Sequence, residues 1–284
     1  MTPLQQDLLA WGRAHLRDLP WRRTRDPWAI LVAETMLQQT QVSRVAPRWE
    51  QFLDRWPTAN VCAEAPRSAV LREWQGLGYN RRAVALHRAA QQIASEHAGE
   101  VPDDLDALLA LPGVGPYTAR AVRVFAFEHD DAVVDVNAAR VLSRAVAGER
   151  LTARVAQDLA DDLVPEGEGW LWNQTMLELG ALHCRKRRVE CEVCPIASHC
   201  TWRGVGPDPA EGSAGTGGTQ SRFEGSDRQG RGRLLDALRE GPLLAARAGE
   251  VTRWDDDERT ARIVRSLLDD GLAVRQGPVL TLPD

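Results

Sequence analysis

Four cysteines lie within seventeen residues of one another, at Cys184, Cys191, Cys194 and Cys200, in the spacing C-x6-C-x2-C-x5-C. The chain begins without a basic segment followed by an apolar run, so we expect a non-secreted protein, in which such a group indicates a metal centre rather than disulfides. A structural zinc site and a [4Fe–4S] cluster both fit these ligands, and the longer first loop favours the cluster, which needs its thiolates spread further apart. Cys62 is distant in sequence and is expected to be a small buried hydrophobe.

Helical periodicity dominates the chain up to about residue 205, and alternation of the β-strand type is hard to find there. Asp26 and Pro27 supply an N-cap and a first-turn proline for a helix that we expect to continue to about Val45. Short loops with Pro and Gly separate the segments, which predicts an all-helical bundle. The other helices are expected at about residues 48–55, 66–75, 80–97, 104–111, 116–127, 137–146, 152–162 and 169–182.

The composition changes at about residue 203. The stretch RGVGPDPAEGSAGTGGTQS is rich in Gly, Ser and Pro and predicts a flexible linker over residues 204–221. Beyond it, RGRLLDALREG and DDDERTARIVRSLLDDG predict two helices, and LAVRQGPVLTL predicts a β-hairpin. We therefore expect residues 222–284 to form a small winged-helix-like α+β module, with an unspecialised α+β tail as the alternative.

Arginine supplies all but one of the 35 basic residues, and Lys186 is the only lysine. A mechanism that depends on a lysine nucleophile is therefore nearly excluded. The net charge of −5 argues neither for nor against nucleic acid, because a phosphate-binding face needs only a local group of cations. No stretch approaches about 18 consecutive apolar residues, so we expect no membrane segment.

The stretch LPGVGPYTARAV places Gly113 and Gly115 between two helical segments, in a turn whose backbone N–H groups can face an anion such as a DNA phosphate. Together with the cysteine spacing downstream, it resembles the helix-hairpin-helix and cluster motifs of the endonuclease III and MutY glycosylases. The resemblance covers about residues 3–203. It implies a two-lobed, mostly α-helical glycosylase fold, with a six-helix lobe that holds the hairpin at about 25–135. An iron-sulfur lobe would combine the N-terminus with about 136–203 and carry a [4Fe–4S] cluster on the four cysteines.

The loop between the first two cysteines is basic, with Arg185, Lys186, Arg187 and Arg188 in succession. Four consecutive cations usually form a solvated surface. If a rigid cluster holds both ends of the loop, the same cations become a fixed element for contacting DNA phosphates. The resemblance implies double-stranded DNA with a flipped-out mismatched base as the partner, a monomeric protein, and a cytoplasmic, nucleoid-associated location of the bacterial type.

Bifunctional members of this superfamily carry a lysine two residues after the second glycine of the hairpin, where this chain has Tyr117. A lysine amine can attack C1′ and lead to strand cleavage through a Schiff base. Because no lysine is near, the resemblance implies a monofunctional glycosylase without β-lyase activity.

Two carboxylates lie in sequence contexts that suit a reaction site. Glu34, in AILVAETMLQQTQV, has Ile30, Leu31 and Leu37 on its own helix face, and burial there would raise its pKa and make it a proton donor. A structural carboxylate bonded to a helix end is an equal alternative. Asp135, in DAVVDVNAARVLSR, precedes a helix and can be an N-cap or an ionised carboxylate that faces a developing cation.

The stretches AETMLQQTQV and VVDVN match the MutY pattern around its catalytic glutamate and aspartate. The resemblance implies that Glu34 protonates N7 of adenine and later activates a water molecule, while Asp135 stabilises or captures C1′. Tyr117 would hydrogen-bond near them, and Asn137 would orient its neighbours. Val136 stands where the family usually has glycine and is a bulkier, stiffer residue.

Other matches lie at positions that approach the duplex in this family. Gln38, Gln39 and Gln41 could be an ordinary polar helix end, but the resemblance implies contacts with base edges, with Gln39 entering the base stack. Tyr79, in GLGYN, matches an aromatic wedge beside the orphaned base, and a core tyrosine is the alternative. Arg22, in LPWRR, matches a residue that lines the adenine pocket.

The resemblance therefore implies a base-excision-repair enzyme that removes adenine mispaired with 8-oxoguanine or guanine. The tail is too short and too helical to be the β-rich C-terminal domain that many MutY proteins use to recognise 8-oxoguanine. Two alternatives stay open at this point: a thymine or uracil glycosylase acting at G mismatches, and a non-enzymatic iron-sulfur protein that binds DNA.

Overall fold

The computed structural model describes residues 1–213 and 222–284. These residues are mostly helical, with one small three-stranded sheet, which confirms the predicted fold class. None of the described helices is long and apolar enough to span a membrane. The helices are α1 (Pro3–His15), α2 (Pro27–Leu37), α3 (Val42–Arg55), α4 (Ala59–Glu64), α5 (Arg67–Glu73), α6 (Arg81–Glu96), α7 (Leu105–Ala110), α8 (Pro116–Phe127), α9 (Val136–Val141), α10 (Ala153–Leu163), α11 (Gly169–Leu182), α12 (Asp227–Glu240), α13 (Ala248–Thr252) and α14 (Asp257–Asp269).

Contacts divide the chain into two compact units. The first comprises Met1–Ile30, Asp103–Asp106 and Gly115–Thr219, and the second comprises Leu31–Pro102, Ala107–Val114 and Gln220–Asp284. This division differs from the predicted lobes at about 25–135 and 136–203, because α8 groups with the first unit and the C-terminal module groups with the second. The predicted lobe boundaries stay a prediction.

The first unit is built around α11, which packs against both α1 and α9. Thr2 is the N-cap of α1 and forms a reciprocal capping box with Gln5. The Thr2 side chain accepts a hydrogen bond from the Gln5 backbone N–H, and the Gln5 side chain accepts one from the Thr2 backbone N–H. The apolar faces of these helices bury Leu9, Trp172 and Leu179 in one core. Helix α9 continues as a π-helical segment, Leu142–Ala147.

The second unit packs α4 and α5 on the long helix α6. Phe52 of α3 lies edge-on to Trp56 and Trp74, with ring centroids 4.7 and 6.3 Å apart, and all three rings are buried. Cys62 of α4 is fully buried, as predicted, and burial raises the pKa of its thiol to about 12. Its sulfur is therefore an apolar packing atom at neutral pH.

One predicted helix is two helices. The sequence indicated a helix from Pro27 to about Val45, and Asp26 does cap its start, accepting from the Trp28 backbone N–H at 2.9 Å. However, α2 ends at Leu37, and α3 begins at Val42 and continues through Pro47. The reason lies outside the local sequence: Arg82 of α6 donates hydrogen bonds to the carbonyl groups at the end of α2.

The C-terminal module contains the two helices and the hairpin that the sequence predicted, and it adds a short strand and the helix α13 between the two helices. The strands β1 (Leu243–Leu244), β2 (Val274–Gln276) and β3 (Val279–Thr281) form an antiparallel sheet in the order β1-β3-β2. Helix α12 packs against α13 and α14, and also against α5 of the same unit.

The first part of the predicted linker is held by the first unit. Arg144 donates to Asp208 at 2.8 Å, and Ser213 bonds with Ser143 and with the Leu151 backbone N–H, each at 3.0 Å. The composition of residues 204–213 suggested flexibility, but these non-local bonds fix them. Residues 214–221 of the predicted linker lie outside the described residues.

Candidate functional site

Glu34 lies in the middle of α2 and is 5% exposed. Its helix neighbours Ile30 and Leu31 are buried, as are Ala33 and Met36. The predicted burial of Glu34 is confirmed, and its catalytic role stays a prediction.

The guanidinium group of Arg82, on α6, joins the end of α2 to the loop that precedes α6. Desolvation lowers the pKa of this guanidinium to about 10, so it remains charged at neutral pH. The arginine therefore satisfies carbonyl groups that the end of a helix leaves unpaired. Its two terminal nitrogen atoms donate, at 2.7–3.2 Å, to the carbonyl oxygens of Thr35, Met36, Gln38, Leu77 and Gly78 and to the hydroxyl of Thr40.

The two segments that Arg82 joins each carry a residue with a left-handed backbone. Gln39 has φ 57° and Tyr79 has φ 47°, a conformation that costs about 1 kcal/mol or more in a non-glycine residue. Gln39 is exposed, and Tyr79 is 42% exposed, with its ring 5.4 Å from the Arg82 guanidinium carbon. The alternative of a core tyrosine at position 79 is therefore wrong.

The glutamines after Glu34 differ in their settings. Gln41 is exposed and immediately precedes α3, whereas Gln38 is half-buried. Gln38 and Arg82 line one open cavity together with Thr35 and Gly113, so the structure brings the end of α2 and the first glycine of the hairpin to a common surface.

The two hairpin glycines differ in how strictly the fold requires them. Gly113 has φ +79°, and a Cβ added there would lie 2.6 Å from the Cβ of Ala85. Gly115 precedes α8 with φ −101°, which any residue can adopt, and an added Cβ would meet nothing within 4 Å. Thus the fold requires glycine at 113, whereas open space surrounds position 115. Tyr117 is the second residue of α8 and is half-buried.

Asp135 is the N-cap of α9. Its Oδ1 accepts from the backbone N–H groups of Asn137 and Ala138 at 2.7 and 2.8 Å, and its Oδ2 accepts from the Asn137 side-chain amide at 2.7 Å. Burial raises the pKa of Asp135 above the ordinary aspartate value, although these bonds and the charge of Arg140 act in the opposite direction. Val136 is 48% exposed, so its side chain leaves this arrangement undisturbed.

Asn137 is in turn held by Arg140, whose guanidinium donates to Asn137 Oδ1 at 2.8 Å. The same guanidinium donates to the carbonyl oxygens of Gly180 and Cys184, at 2.8 and 2.6 Å. A Cβ added to Gly180 would lie 2.7 Å from the Asn137 Cβ, so glycine allows α9 and α11 to approach closely here. Hydrogen bonds therefore connect Asp135 to the backbone of the first cysteine.

The four clustered cysteines line one cavity, and none of them is in a disulfide. The cavity floor is apolar, with Val141, Leu179 and Ile196 among its lining residues. Arg144 donates to Cys184 Sγ at 3.5 Å, and the backbone N–H of Arg203 donates to Cys200 Sγ at 3.3 Å. In the described part of the chain, no three Cys, His, Asp or Glu side chains are placed to bind one metal ion.

The basic loop, residues 185–188, lies on the surface, and an antiparallel bridge between Cys184 and Val189 closes it. Arg185 Nε donates to the Leu182 carbonyl at 2.8 Å, and Arg188 pairs with Glu190 at 3.6 Å. All four cations of this loop are exposed, as contact with phosphates requires.

Arg22 is engaged within the first unit, and its side chain is only 8% exposed. Its guanidinium donates to Gln174 Oε1 at 2.7 Å, to Glu178 Oε2 at 2.8 Å and to the Arg17 carbonyl at 2.8 Å. Burial raises the pKa of Glu178, but the hydrogen bonds from Arg17 and Arg22 outweigh this effect and hold it below the usual range. A role for Arg22 in lining an adenine pocket stays a prediction.

Sequence reasoning missed the residues that hold these groups in place. Arg140 and Arg144 are spaced by four residues within the otherwise apolar stretch AARVLSRAV, and this spacing was the available signal that two cations point in one direction from a buried helix. Arg82 and Gly180 carry no comparable local signal.

Comparison with known proteins supports the resemblance. The family described as HhH-GPD superfamily base excision DNA repair protein matches residues 32–166. The adenine DNA glycosylase of Mycolicibacterium smegmatis is 46% identical over 272 residues, which cover 94% of this chain and 91% of that relative. The adenine DNA glycosylase of Mycobacterium tuberculosis is 44% identical, and the match covers 95% of this chain and 90% of that relative.

Solved structures show the same fold. A thermostable thymine-DNA glycosylase has a TM-score of 0.65 and 30% identity, covering 70% of this chain and 94% of its own. An endonuclease III, from a trapped covalent complex with DNA, has a TM-score of 0.62 and 23% identity over 72% of this chain and 98% of its own. The chain therefore belongs to the helix-hairpin-helix superfamily of base excision DNA repair proteins, in its MutY-type branch of DNA N-glycosylases.

Proposed function

We propose that this protein removes adenine mispaired with 8-oxoguanine or guanine in duplex DNA, by hydrolysis of the N-glycosidic bond. The observation that carries the proposal is the carboxyl group of Asp135, which three N–H donors fix in one orientation at the start of α9. Such a group can meet positive charge as it develops on a sugar without having to reorganise. The adenine-specific names of the two mycobacterial relatives support the choice of base.

The proposed reaction uses the two carboxyl groups in sequence. Glu34 donates a proton to N7 of adenine, which turns the base into a good leaving group, and the N9–C1′ bond then breaks. Asp135 stabilises the oxocarbenium-like sugar or captures it at C1′. The Glu34 carboxylate finally removes a proton from water as the water oxygen bonds to C1′, and where Asp135 has captured C1′ the Asp135–C1′ bond breaks and the carboxylate is regenerated. The products are free adenine and an abasic site.

We expect no strand cleavage by a lysine route. The position that carries the Schiff-base lysine in bifunctional relatives is Tyr117, and the sole lysine, Lys186, lies in the basic loop. We propose that Tyr117 hydrogen-bonds in the reaction site and that Asn137 orients Asp135.

We propose that Cys184, Cys191, Cys194 and Cys200 hold a [4Fe–4S] cluster. The thiols surround a cavity with an apolar floor, and N–H groups donate to two of the sulfur atoms, as is usual for cluster ligands. Their arrangement around a cavity rather than a point favours a multi-atom core over one zinc ion. The cluster would tie the basic loop to the first unit. A broad visible absorption band with stoichiometric iron and sulfide would support it, and zinc alone would contradict it.

One assay separates the functional alternatives. Purified protein is incubated with duplexes that contain A:8-oxoG, A:G, T:G or U:G, and each sample is analysed with and without hot alkali. Strand breaks at A that appear only after alkali are the expected result, because a monofunctional enzyme leaves an abasic site. Breaks at A without alkali would contradict the absence of a lyase step.

A thymine or uracil glycosylase is the second candidate. It is favoured by the thymine/uracil-DNA glycosylase of Methanothermobacter thermautotrophicus, which is 32% identical over 200 residues and covers 69% of this chain. Alkali-dependent breaks at T or U, with none at A, would select this candidate. Breaks in none of the four duplexes would leave the non-enzymatic DNA-binding protein.

The hairpin glycines give a matched pair of variants. We expect Gly113→Ala to destabilise the protein by about 2 kcal/mol, because it combines a positive φ with a clash against Ala85. We expect Gly115→Ala to keep the thermal midpoint but weaken DNA binding about tenfold, because the methyl group occupies the open space that a phosphate would approach. Thermal melting and DNA titration measure both effects. Equal DNA affinity of Gly115→Ala and the parent protein would contradict a phosphate contact at this turn.

A further inference from the structure

The C-terminal module contacts the segment that carries Tyr79, which runs from Leu77 to Arg81, the first residue of α6, and which we name the Tyr79 loop (Leu77–Arg81). Arg239 of α12 is buried and donates to Asn80 Oδ1 at 2.9 Å and to the Leu71 carbonyl at 3.0 Å. The contact is reciprocal, since Arg72 Nε donates to the Arg239 carbonyl at 3.2 Å. One module side chain thus reaches the residue that follows Tyr79.

A second contact lies at the next residue of the loop. Asp270, at the end of α14, is 6% exposed in its side chain and forms ion pairs with Arg81 of the loop and with Arg231 of α12. Burial raises the pKa of Asp270, but the two arginines outweigh it and hold the pKa below the usual aspartate range. The ion pairs are therefore present at neutral pH and are lost only in acid, as pH falls through that lowered pKa.

The Tyr79 loop is therefore held from two directions. Arg82 binds the Leu77 and Gly78 carbonyls, while Arg239 and Asp270 bind Asn80 and Arg81. Tyr79 stands between these fixed residues, with a strained φ of 47° and an exposed ring. A strained residue persists only where its surroundings determine its conformation.

The module is poorly suited to reading DNA itself. In helix-turn-helix folds the first turn of the second helix contacts base edges, and in the module α14 follows α13 as the second helix of such a pair. Its start consists of four consecutive exposed acids, Asp255, Asp256, Asp257 and Glu258. Negative charge at this position repels phosphates.

We propose that residues 222–284 act as a brace that fixes the Tyr79 loop, so that Tyr79 can enter the duplex and hold it open. This inference rests on the proposed function and assigns the module a positioning role in opening DNA. Arg239 and Asp270 are its positioning residues, and neither is proposed to touch DNA.

The test compares adenine release from duplex DNA and from a bubble in which the bases around the target adenine are already unpaired. We expect Arg239→Met to lower the duplex rate roughly tenfold, the effect of losing about one charge-assisted hydrogen bond, and to leave the bubble rate within about twofold. Asp270→Asn acts at a separate contact and is expected to do the same. General damage to folding or to the reaction site would lower both rates.

Arg265→Gln is the matched control, because Arg265 is exposed on α14 and takes part in neither of these two contacts. It is expected to change neither rate. An unchanged duplex rate in both Arg239→Met and Asp270→Asn would overturn the brace. An equally large fall of the duplex rate in Arg265→Gln would also overturn it, because the module would then act through its exposed helix.

Fluorescence of 2-aminopurine placed beside the mismatch reports opening without any base release. The full-length protein is expected to raise this signal, and Arg239→Met is expected to raise it less at saturating protein. If the protein opens the duplex but releases no adenine, the proposed function is wrong. The 2-aminopurine fluorescence then still tests the brace on its own. Equal signals from the two proteins would overturn the brace.

Discussion

Replacing Asp135 by asparagine is expected to lower the single-turnover rate of adenine release by about a thousandfold, or about 4 kcal/mol in the activation barrier. The amide keeps an oxygen that can accept from the Asn137 and Ala138 backbone, so the cap of α9 is retained. What is lost is the negative charge that faces the developing cation, together with the hydrogen bond that Oδ2 accepts from the Asn137 side-chain amide. The thermal midpoint should therefore stay close to that of the parent protein.

Asp130 provides the matched control, because its carboxylate also accepts from backbone N–H groups, those of Gly167 and Gly169, at 2.7 and 3.0 Å. Asp130→Asn is expected to keep the rate of adenine release per folded molecule. If Asp135→Asn also kept it, Asp135 would be an N-cap and nothing more, and the proposed reaction would lose its carboxylate.

The pH dependence gives the same hypothesis a second readout. Because burial raises the pKa of Asp135, the ionised form needed for the reaction is lost at a higher pH than for an ordinary aspartate. Adenine release should fall as the pH drops through this raised pKa. Asn137→Ala removes a hydrogen bond to Oδ2 that favours the ionised form, so the acid limb of the profile should move to higher pH. An acid limb that moves to lower pH would contradict this account.

Local patterns predicted the parts of the fold that local chemistry determines. Asp26 and Pro27 begin α2, Gly113 and Gly115 form a turn before α8, and Asp135 caps α9, each at the position expected from its residue type. The four cysteines face one cavity, as their spacing indicated. Each of these features is decided within a few residues of chain.

Non-local bonds decided what the sequence could not predict. Helix α2 ends at Leu37 because Arg82, more than forty residues later, binds its last carbonyl groups and allows Gln39 a left-handed backbone. Residues 204–213 have the composition of a linker, yet Arg144 holds Asp208. Arg82 carries no local signal, and the spacing of Arg140 and Arg144 indicates that two cations point in one direction but not which groups they bind.

The same limit applies to the candidate site. Its carboxylates and Asn137 could be named from short stretches of sequence, whereas Arg140, which holds Asn137, was missed. Arg140 orients Asn137 while it binds the Cys184 carbonyl, so one guanidinium serves both the Asp135 region and the cysteine loop. Removal of the proposed cluster is therefore expected to reduce the order of Asn137 as well as that of the cysteines.

Glu34→Gln is the second substitution with a large expected effect, a fall of about a thousandfold in adenine release under single-turnover conditions. Glutamine has nearly the same shape but cannot transfer a proton to N7. If the buried Glu34 is protonated, glutamine replaces one neutral group by another, so the thermal midpoint and the affinity for mismatched DNA should change little. A structural, ionised carboxylate predicts the opposite pattern, with a lower thermal midpoint and an unchanged rate per folded molecule.

Glu178 supplies the contrasting case of a buried glutamate. Its carboxylate pairs with Arg17 and Arg22, which hold its pKa below the usual range, so Glu178→Gln should lower the thermal midpoint by leaving the nearly buried guanidinium of Arg22 without its carboxylate. The two substitutions should therefore affect different measurements: Glu178→Gln should lower the thermal midpoint, and Glu34→Gln should lower the rate of adenine release. A Glu34→Gln protein that melts early and still releases adenine at the parent rate would show that Glu34, too, is structural.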